Sequence, residues 1–309
     1  MKKLTACLSI GSILVFASSA GYAATEINDG KQTSAIQSQA PLSAADDEWH
    51  CAITPYFWIP SIDADIKVPL DTRRGRFNSE MSVNQPWWNT ISDVFKGKLD
   101  VLSADGRIEV SKGKWGAFVD GYWIFSKVSM EKSNTKLRVR DRVDVIRSIS
   151  ATSKMQIWQV NFGPRYLIGT RALDKSGKTS VGLEVYGGGR INGIDSKLKG
   201  SVSVSSLSAD FNNHADSVFA EPMIGLKTIW TLGPNFIGII RGDVGGFNVV
   251  DNNTDCDLEA GIAWQFHKNT YLDLAYRARG QWQTDSPNNN NITVRGWFHG
   301  PELGMTFSF

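Results

Sequence analysis

The chain ends in Leu303-Gly304-Met305-Thr306-Phe307-Ser308-Phe309, with apolar side chains at every second position. Successive side chains of an extended strand point to opposite faces, so this stretch reads as a strand with one greasy and one polar side. Working outward from it, the same two-residue period recurs near 271–283, 255–266, 235–247, 216–231, 179–192, 154–167, 115–128, 100–111 and 49–60, and the last strand itself begins near 297. Most of these segments have the nine to eleven residues that a tilted barrel strand needs to cross a bilayer. The expected fold is all-β: a transmembrane, antiparallel up-and-down β-barrel of about ten strands. An eight-strand count requires two segments to be loops, and a twelve-strand count splits the long first or third connection.

The connections support the same reading. Short links fall at 111–114, 232–234 and 267–270, with a somewhat longer one at 169–178. Between them lie long links at 61–99, 129–153, 193–215, 248–254 and 284–296. Outer-membrane barrels have short periplasmic turns and long external loops, so the first strand runs outward and both termini are expected in the periplasm. The terminal Phe309 resembles the C-terminal signal by which the barrel assembly machinery of Gram-negative bacteria recognises its substrates.

At the other end, Lys2 and Lys3 precede an apolar run over 8–17 and the small residues of Gly21-Tyr22-Ala23. This is the pattern of a secretory signal cleaved after Ala23. The run is too short to span a bilayer, and Cys7 lies before it rather than after it, which argues against a lipid anchor. Residues 24–48 are rich in Ser, Gln and Ala and read as a flexible periplasmic leader. The barrel then occupies 49–309.

Composition excludes other classes. The 309 residues carry 33 Lys+Arg against 31 Asp+Glu, and 41% are hydrophobic. Without Lys2 and Lys3 the charges balance, so no bulk basic field gathers nucleic acid. Gly (29), Trp (11), Tyr (7) and Phe (15) are plentiful, which suits short turns and an aromatic-rich β surface.

Alternation alone does not say which face meets lipid, because a soluble barrel alternates too. The distribution of aromatics decides it. Trp49, Trp115, Tyr166, Trp230, Phe266 and Phe309 fall near the short-turn ends of the apolar face. Phe57, Trp123, Phe125, Trp158, Trp282 and Trp297 fall toward the other ends. Two such girdles are expected where rings lie at the two membrane–water boundaries.

The opposite face collects charge. Asp105, Arg107, Glu109, Arg165, Glu184, Arg190, Glu221, Arg241, Asp243, Glu259, Arg277 and Arg279 form the expected lumen network, with Asp120, Lys227, Asp257, Asp273 and Glu302 on the same face. In a narrow barrel whose interior fills with side chains, mixed signs pair. A register pairing Gln265 with Asp273 sets Gly261 opposite Arg277 and Glu259 opposite Arg279, the glycine leaving room for the guanidinium.

Chemistry beyond this finds little support. His50, His214, His267 and His299 lie in no metal-binding spacing, and no cofactor motif occurs. His214-Ala215-Asp216 in an external loop is the one close His/carboxylate pair, which brings omptin-type proteases to mind, yet their paired-Asp elements are missing. Nor does a His-x-Ser strand element for lipid hydrolysis occur. Cys51 and Cys256 are expected at opposite rims, too far apart to bridge. Within the first long link, Trp87, Trp88, Ile91, Val94 and Phe95 have helical spacing and suggest a short amphipathic helix packed as a lid. The second link carries Lys136, Arg138, Arg140, Arg142 and Arg147, a basic excess able to touch lipopolysaccharide phosphates.

Ile53-Thr54-Pro55-Tyr56-Phe57-Trp58-Ile59-Pro60 with Ile62-Asp63 resembles the first strand of a family of uncharacterised Gram-negative outer-membrane barrel proteins. Lys112-Gly113-Lys114-Trp115-Gly116, Arg241-Gly242-Asp243-Val244-Gly245-Gly246-Phe247 and Leu274-Ala275-Tyr276-Arg277 are similar to its later strands. The resemblance implies fold and location only. The expectation is a monomeric, non-enzymatic outer-membrane barrel with a charge-plugged lumen and a structural or surface-binding role. Its partners are outer-membrane lipid, lipopolysaccharide and the assembly machinery. The alternatives are a narrow channel for a small polar solute and, further off, a membrane-embedded protease or lipid hydrolase.

Overall fold

In the computed structural model twelve strands and one helix follow in chain order: β1 (Trp49–Trp58), β2 (Ser61–Thr72), β3 (Gly75–Gln85), α1 (Trp87–Phe95), β4 (Val101–Lys112), β5 (Trp115–Val139), β6 (Arg142–Ala172), β7 (Thr179–Val204), β8 (Leu207–Leu232), β9 (Phe236–Gly245), β10 (Thr254–His267), β11 (Thr270–Trp282) and β12 (Thr293–Ser308). The structure describes residues 48–72, 75–96, 101–139, 142–204, 207–247, 253–282 and 293–309. The expected signal segment and all but the last residue of the leader lie outside these, as do the side chains of 128–151 with their basic excess.

Ten strands close a barrel in the order β1-β4-β5-β6-β7-β8-β9-β10-β11-β12, with β12 pairing back onto β1. Every pairing is antiparallel. The seam runs from Ala52↔Ser308 to Trp58↔Glu302, so the alternating C-terminal stretch is the strand that closes the ring. β2 and β3 are additional. β1 stops at Ile59-Pro60, where proline has no N–H to give the ladder, and β2 resumes on the same edge of β12, from His299↔Ser61 to Thr293↔Lys67. β3 then folds back on β2 as a hairpin, and α1 follows. The Ser61 hydroxyl accepts the Trp87 N–H at 2.8 Å, fixing the first turn of α1 to the start of β2.

One end of the barrel is joined by short turns, including Gly113-Lys114 between paired Lys112 and Trp115, where Gly113 takes a φ of 57° that suits glycine. In the 173–178 turn the Ser176 hydroxyl donates to Asp174 at 2.7 Å and holds that carboxyl below its ordinary range. The other end carries the long elements. Here the structure corrects the sequence reading: 129–153 and 193–215 are mostly strand, continuing the β5–β6 and β7–β8 hairpins. A signal was present in the sequence, where apolar residues recur at positions 194, 198, 202 and 204, an even spacing that continues the strand period. The first long link is likewise the β2–β3 hairpin plus α1 rather than a loop.

The two faces of the barrel differ sharply. Outward lie Ile53, Ile108, Val119, Phe162, Ile224, Leu226, Ile262, Leu274 and Leu303, all exposed, while the buried side chains include seven basic and eight acidic ones. A soluble fold buries the first set and exposes the second.

The aromatic positions form two outward rows. Toward the turn end, Trp49, Trp115, Phe266 and Phe309 are exposed. Tyr166 packs its ring 4.7 Å from Trp115, and Trp230 donates to Thr228 on its own strand at 3.1 Å. Toward the other end, Trp123 pairs in register with Trp158, and Trp282 packs edge-on against Trp297 at 5.2 Å. Two of these rings, and that of Phe162 in the belt between the rows, lie across a glycine directly opposite: Trp158 on Gly193, Trp297 on Gly280 and Phe162 on Gly189. A Cβ at those glycines would run into the ring, so their bareness seats the aromatics flat on the wall.

Candidate functional site: the ionic layer of the bore

Each charged side chain of the interior owes its direction to strand parity. Asp120 lies between inward Phe118 and Tyr122 on β5, and Arg277 two residues below Arg279 on β11. Three strata result. Toward the long-hairpin end the bore is apolar, filled by Trp58, Ile62, Tyr122, Ile124, Met155, Ile157, Ile194, Val294 and Phe298. Toward the turn end Ile229, Ile237, Ala263 and Tyr271 pack together. Between them lies the charge. Salt bridges buried against such apolar packing act in a low dielectric, where attraction is strong and an unpaired ion is costly.

The layer has three linked groups. Asp120 is the centre of the first. It accepts from Tyr56 Oη at 2.6 Å and Arg241 Nη2 at 3.0 Å, with Arg107 Nε and Arg277 Nη2 each 3.6 Å away. Glu259 accepts from Arg107 Nη2 at 3.1 Å and Arg241 Nε at 2.7 Å. Arg277 binds Asp257 through Nε at 3.0 Å and Nη2 at 2.6 Å, and lies 4.0 Å from Glu302. In the second group Lys227 donates to Glu109 at 3.0 Å, and Arg165 to Glu184 at 3.1 Å. In the third, Arg190 binds Asp243 and lies 2.6 Å from Asp255, while its Nε donates to Asn161 at 2.8 Å. Arg279 donates to Asp255 at 3.1 Å, to Asn192 at 2.8 Å and to the Tyr122 hydroxyl. The Arg277 guanidinium also lies over Trp58 and Tyr122, 5.4 and 5.3 Å from the ring centres, joining the ionic stratum to the apolar one above.

Of the sequence-expected network, Arg107, Glu109, Arg165, Glu184, Arg190, Arg241, Asp243, Glu259, Arg277 and Arg279 enter these ion pairs. Two members do not. Asp105 accepts from the Trp58 N–H at 3.0 Å and Ser103 Oγ at 2.8 Å, replacing the ladder bond that β1 loses as it departs from β4. Glu221 accepts from Asn192 at 2.8 Å. Asp255, Asn161, Asn192 and Tyr56 belong to the layer and were not assigned to it. Asp255 was placed at the very start of its strand, and neutral side chains carry no charge signal.

The β10–β11 register differs from expectation by two residues. Glu259 faces Arg277, Asp257 faces Arg279, and Gly261 faces Ala275. A two-residue turn pairs His267 with Thr270, and a bulge between Gln265 and His267 tightens the hairpin. Gly261 therefore makes room for Ala275 and the Leu274 carbonyl, not for a guanidinium.

His214 lies in β8 rather than a loop, its Nδ1 3.7 Å from Asp195 Oδ1 on the neighbouring strand. Among the described residues no group of three or more His, Cys, Asp or Glu is arranged to hold a metal ion. Cys51 and Cys256 are not bridged to each other.

No family model and no curated protein matches the chain. Solved structures with similar architecture include the translocator domain of the autotransporter NalP from Neisseria meningitidis, at 11% identity and TM-score 0.33, covering 85% of this chain and 89% of that one. Neisserial surface protein A is similar at 10% identity and TM-score 0.23, over 84% and 97% of the two chains. Ail, the attachment invasion locus protein of Yersinia pestis, solved with the heparin analogue sucrose octasulfate, is similar at 12% identity and TM-score 0.24, over 85% and 99%.

Proposed function

We propose that the chain is a Gram-negative outer-membrane barrel with a closed bore, acting at the cell surface through its long-hairpin end, with both termini in the periplasm. The inverted faces support the location: apolar side chains stand exposed between two aromatic rows while ions are buried inside. From Trp115 to Phe125 the belt covers ten residues of tilted strand, about 25 Å of height and the thickness of such a bilayer. Its partners in this reading are outer-membrane lipid, lipopolysaccharide and, through the C-terminal strand, the assembly machinery. It works as a monomer.

The observation that carries the closed bore is that the ion pairs cross it. Arg107–Glu259, Arg241–Asp120 and Lys227–Glu109 each join strands four places apart in the ring of ten. A diffusing solute would have to separate them inside a buried layer packed beneath the apolar stratum of the long-hairpin end. With passage blocked, function moves to what projects. β5 runs on from Trp123 to Val139, roughly 50 Å along the strand at about 3.3 Å per residue.

Conductance measurements on purified protein in planar bilayers test this. The expected record shows no large, non-selective steps. Steps of porin size overturn the closed bore, and a current seen only with a particular small polar solute turns the assignment to a selective channel.

A further inference from the structure

Resting on the membrane reading, we infer that the outer wall of β5–β7 holds a binding site for an acylated, multiply phosphorylated headgroup of the lipopolysaccharide class. Lys127 on β5 is paired in register with Lys154 on β6, and Lys154 with Lys197 on β7. All three are exposed and point outward, since their strand neighbours Ser126, Met155 and Ser196 are buried in the bore. Lys199, also exposed, follows one outward step along β7.

Like charges directly opposite each other across a ladder repel, and this wall places three side by side. Among the described residues no acid forms an ion pair with them. The nearest described outward carboxylates are Asp195, one outward step below Lys197 on β7, and Asp216 opposite it on β8; Asp195 has His214, the register partner of Lys197, at 3.7 Å. None of the lysines has a carboxylate within ion-pair distance among the described residues. The row is therefore electrostatically incomplete, and an anion completes it.

Position identifies the anion. The row stands four residues beyond the paired Trp123 and Trp158 and two beyond Phe125, a few ångströms above the apolar belt at the level of outer-leaflet headgroups. An anion held there can rest its acyl chains on the Trp158, Val160 and Phe162 surface beneath. Two interstrand spacings, about 10 Å, separate Lys127 from Lys197, a reach that suits more than one phosphate on a shared frame.

The test uses full-length mature protein in phosphatidylcholine nanodiscs, with flotation with phosphatidylcholine vesicles read first. Bis-phosphorylated lipid A is the probe, its retention is measured by native mass spectrometry, and dephosphorylated lipid A and sucrose octasulfate serve as comparison arms. The Lys127→Gln/Lys154→Gln/Lys197→Gln variant, which changes only exposed outward residues, should float normally and lose lipid A affinity on the order of a hundredfold. The wild type should show the same loss toward the dephosphorylated form. Equal retention by the variant, or equal binding of dephosphorylated lipid A, overturns the site while leaving the barrel reading intact. Sucrose octasulfate bound as tightly as lipid A overturns the lipid assignment in favour of a soluble polyanion. Protein that fails to float overturns both readings.

Discussion

Arg107 on β4 and Glu259 on β10 stand four strands apart in the ring, yet their Nη2 and Oε2 atoms are 3.1 Å apart. The bore is therefore narrow enough for two long side chains to meet across it. This single relationship links fold to function: the same parity that turns grease outward drives ions inward until they touch.

Because Asp120 gathers Tyr56, Arg241, Arg107 and Arg277, its charge has more dependants than any pairwise view suggests. Asp120→Asn keeps the shape and removes the charge, leaving guanidinium groups uncompensated in a dry layer. The expected loss is about 3 kcal/mol of stability, read from urea unfolding of vesicle-inserted protein. A change below about 0.5 kcal/mol would show that water reaches the layer and screens it.

Lys227 and Glu109 offer a cleaner measure of contact across the bore. Lys227→Met and Glu109→Gln should each destabilise, and the double variant should cost less than their sum by roughly 1 to 3 kcal/mol. Strict additivity means that the two groups do not meet in the folded barrel.

How far the sequence foretold this can be judged from particular residues. Parity was legible, so Arg107, Glu109, Arg277 and Arg279 were assigned inward without any structure, and the helical spacing from Trp87 to Phe95 marked α1. Pairing was not legible. Glu259 finds Arg107 across 152 positions, and no local pattern encodes that. A turn one residue shorter than expected and a one-residue bulge between Gln265 and His267 together shift the β10–β11 register by two, which composition does not announce. The apolar strata at both ends of the bore were missed for a related reason: Ile229 and Ile237 share a face with Lys227 and Arg241, and only their height separates grease from charge.

In the 173–178 turn, Asp174 is exposed and its carboxyl is held down by the Ser176 hydroxyl and the Thr179 N–H. Its contribution is present above the ordinary carboxylate range and fades as pH falls through the lowered folded value. Ser176→Ala should move the Asp174 titration midpoint upward, toward the ordinary range, when followed by carboxyl NMR. An unchanged midpoint would mean that the hydroxyl does not bond the carboxylate in solution.

Gly193 and Trp158 make a pair whose logic is steric. Gly193→Ala puts a methyl into the indole and should cost about 1 to 2 kcal/mol as the ring swings off the wall. In a Trp158→Ala background the same substitution should be nearly neutral, because the collision partner is gone. Equal costs in both backgrounds would place the strain in the β7 backbone instead.

On the outward face of β11 and β12, the Tyr276 hydroxyl lies 2.6 Å from His299 Nδ1, the next outward position below Trp297. In hydrocarbon each polar group is the other's answer, since water is scarce there. Tyr276→Phe removes one side and leaves an imidazole nitrogen facing lipid, which should cost about 1 to 2 kcal/mol in vesicle-inserted protein. Tyr276→Phe with His299→Leu removes both, and most of that stability should return, because two apolar groups need no partner. In detergent micelles that let water reach the wall, the single variant should lose its penalty. If Tyr276→Phe is harmless in a bilayer as well, this patch of wall faces water, and the apolar belt ends below His299 rather than at the Trp282–Trp297 pair.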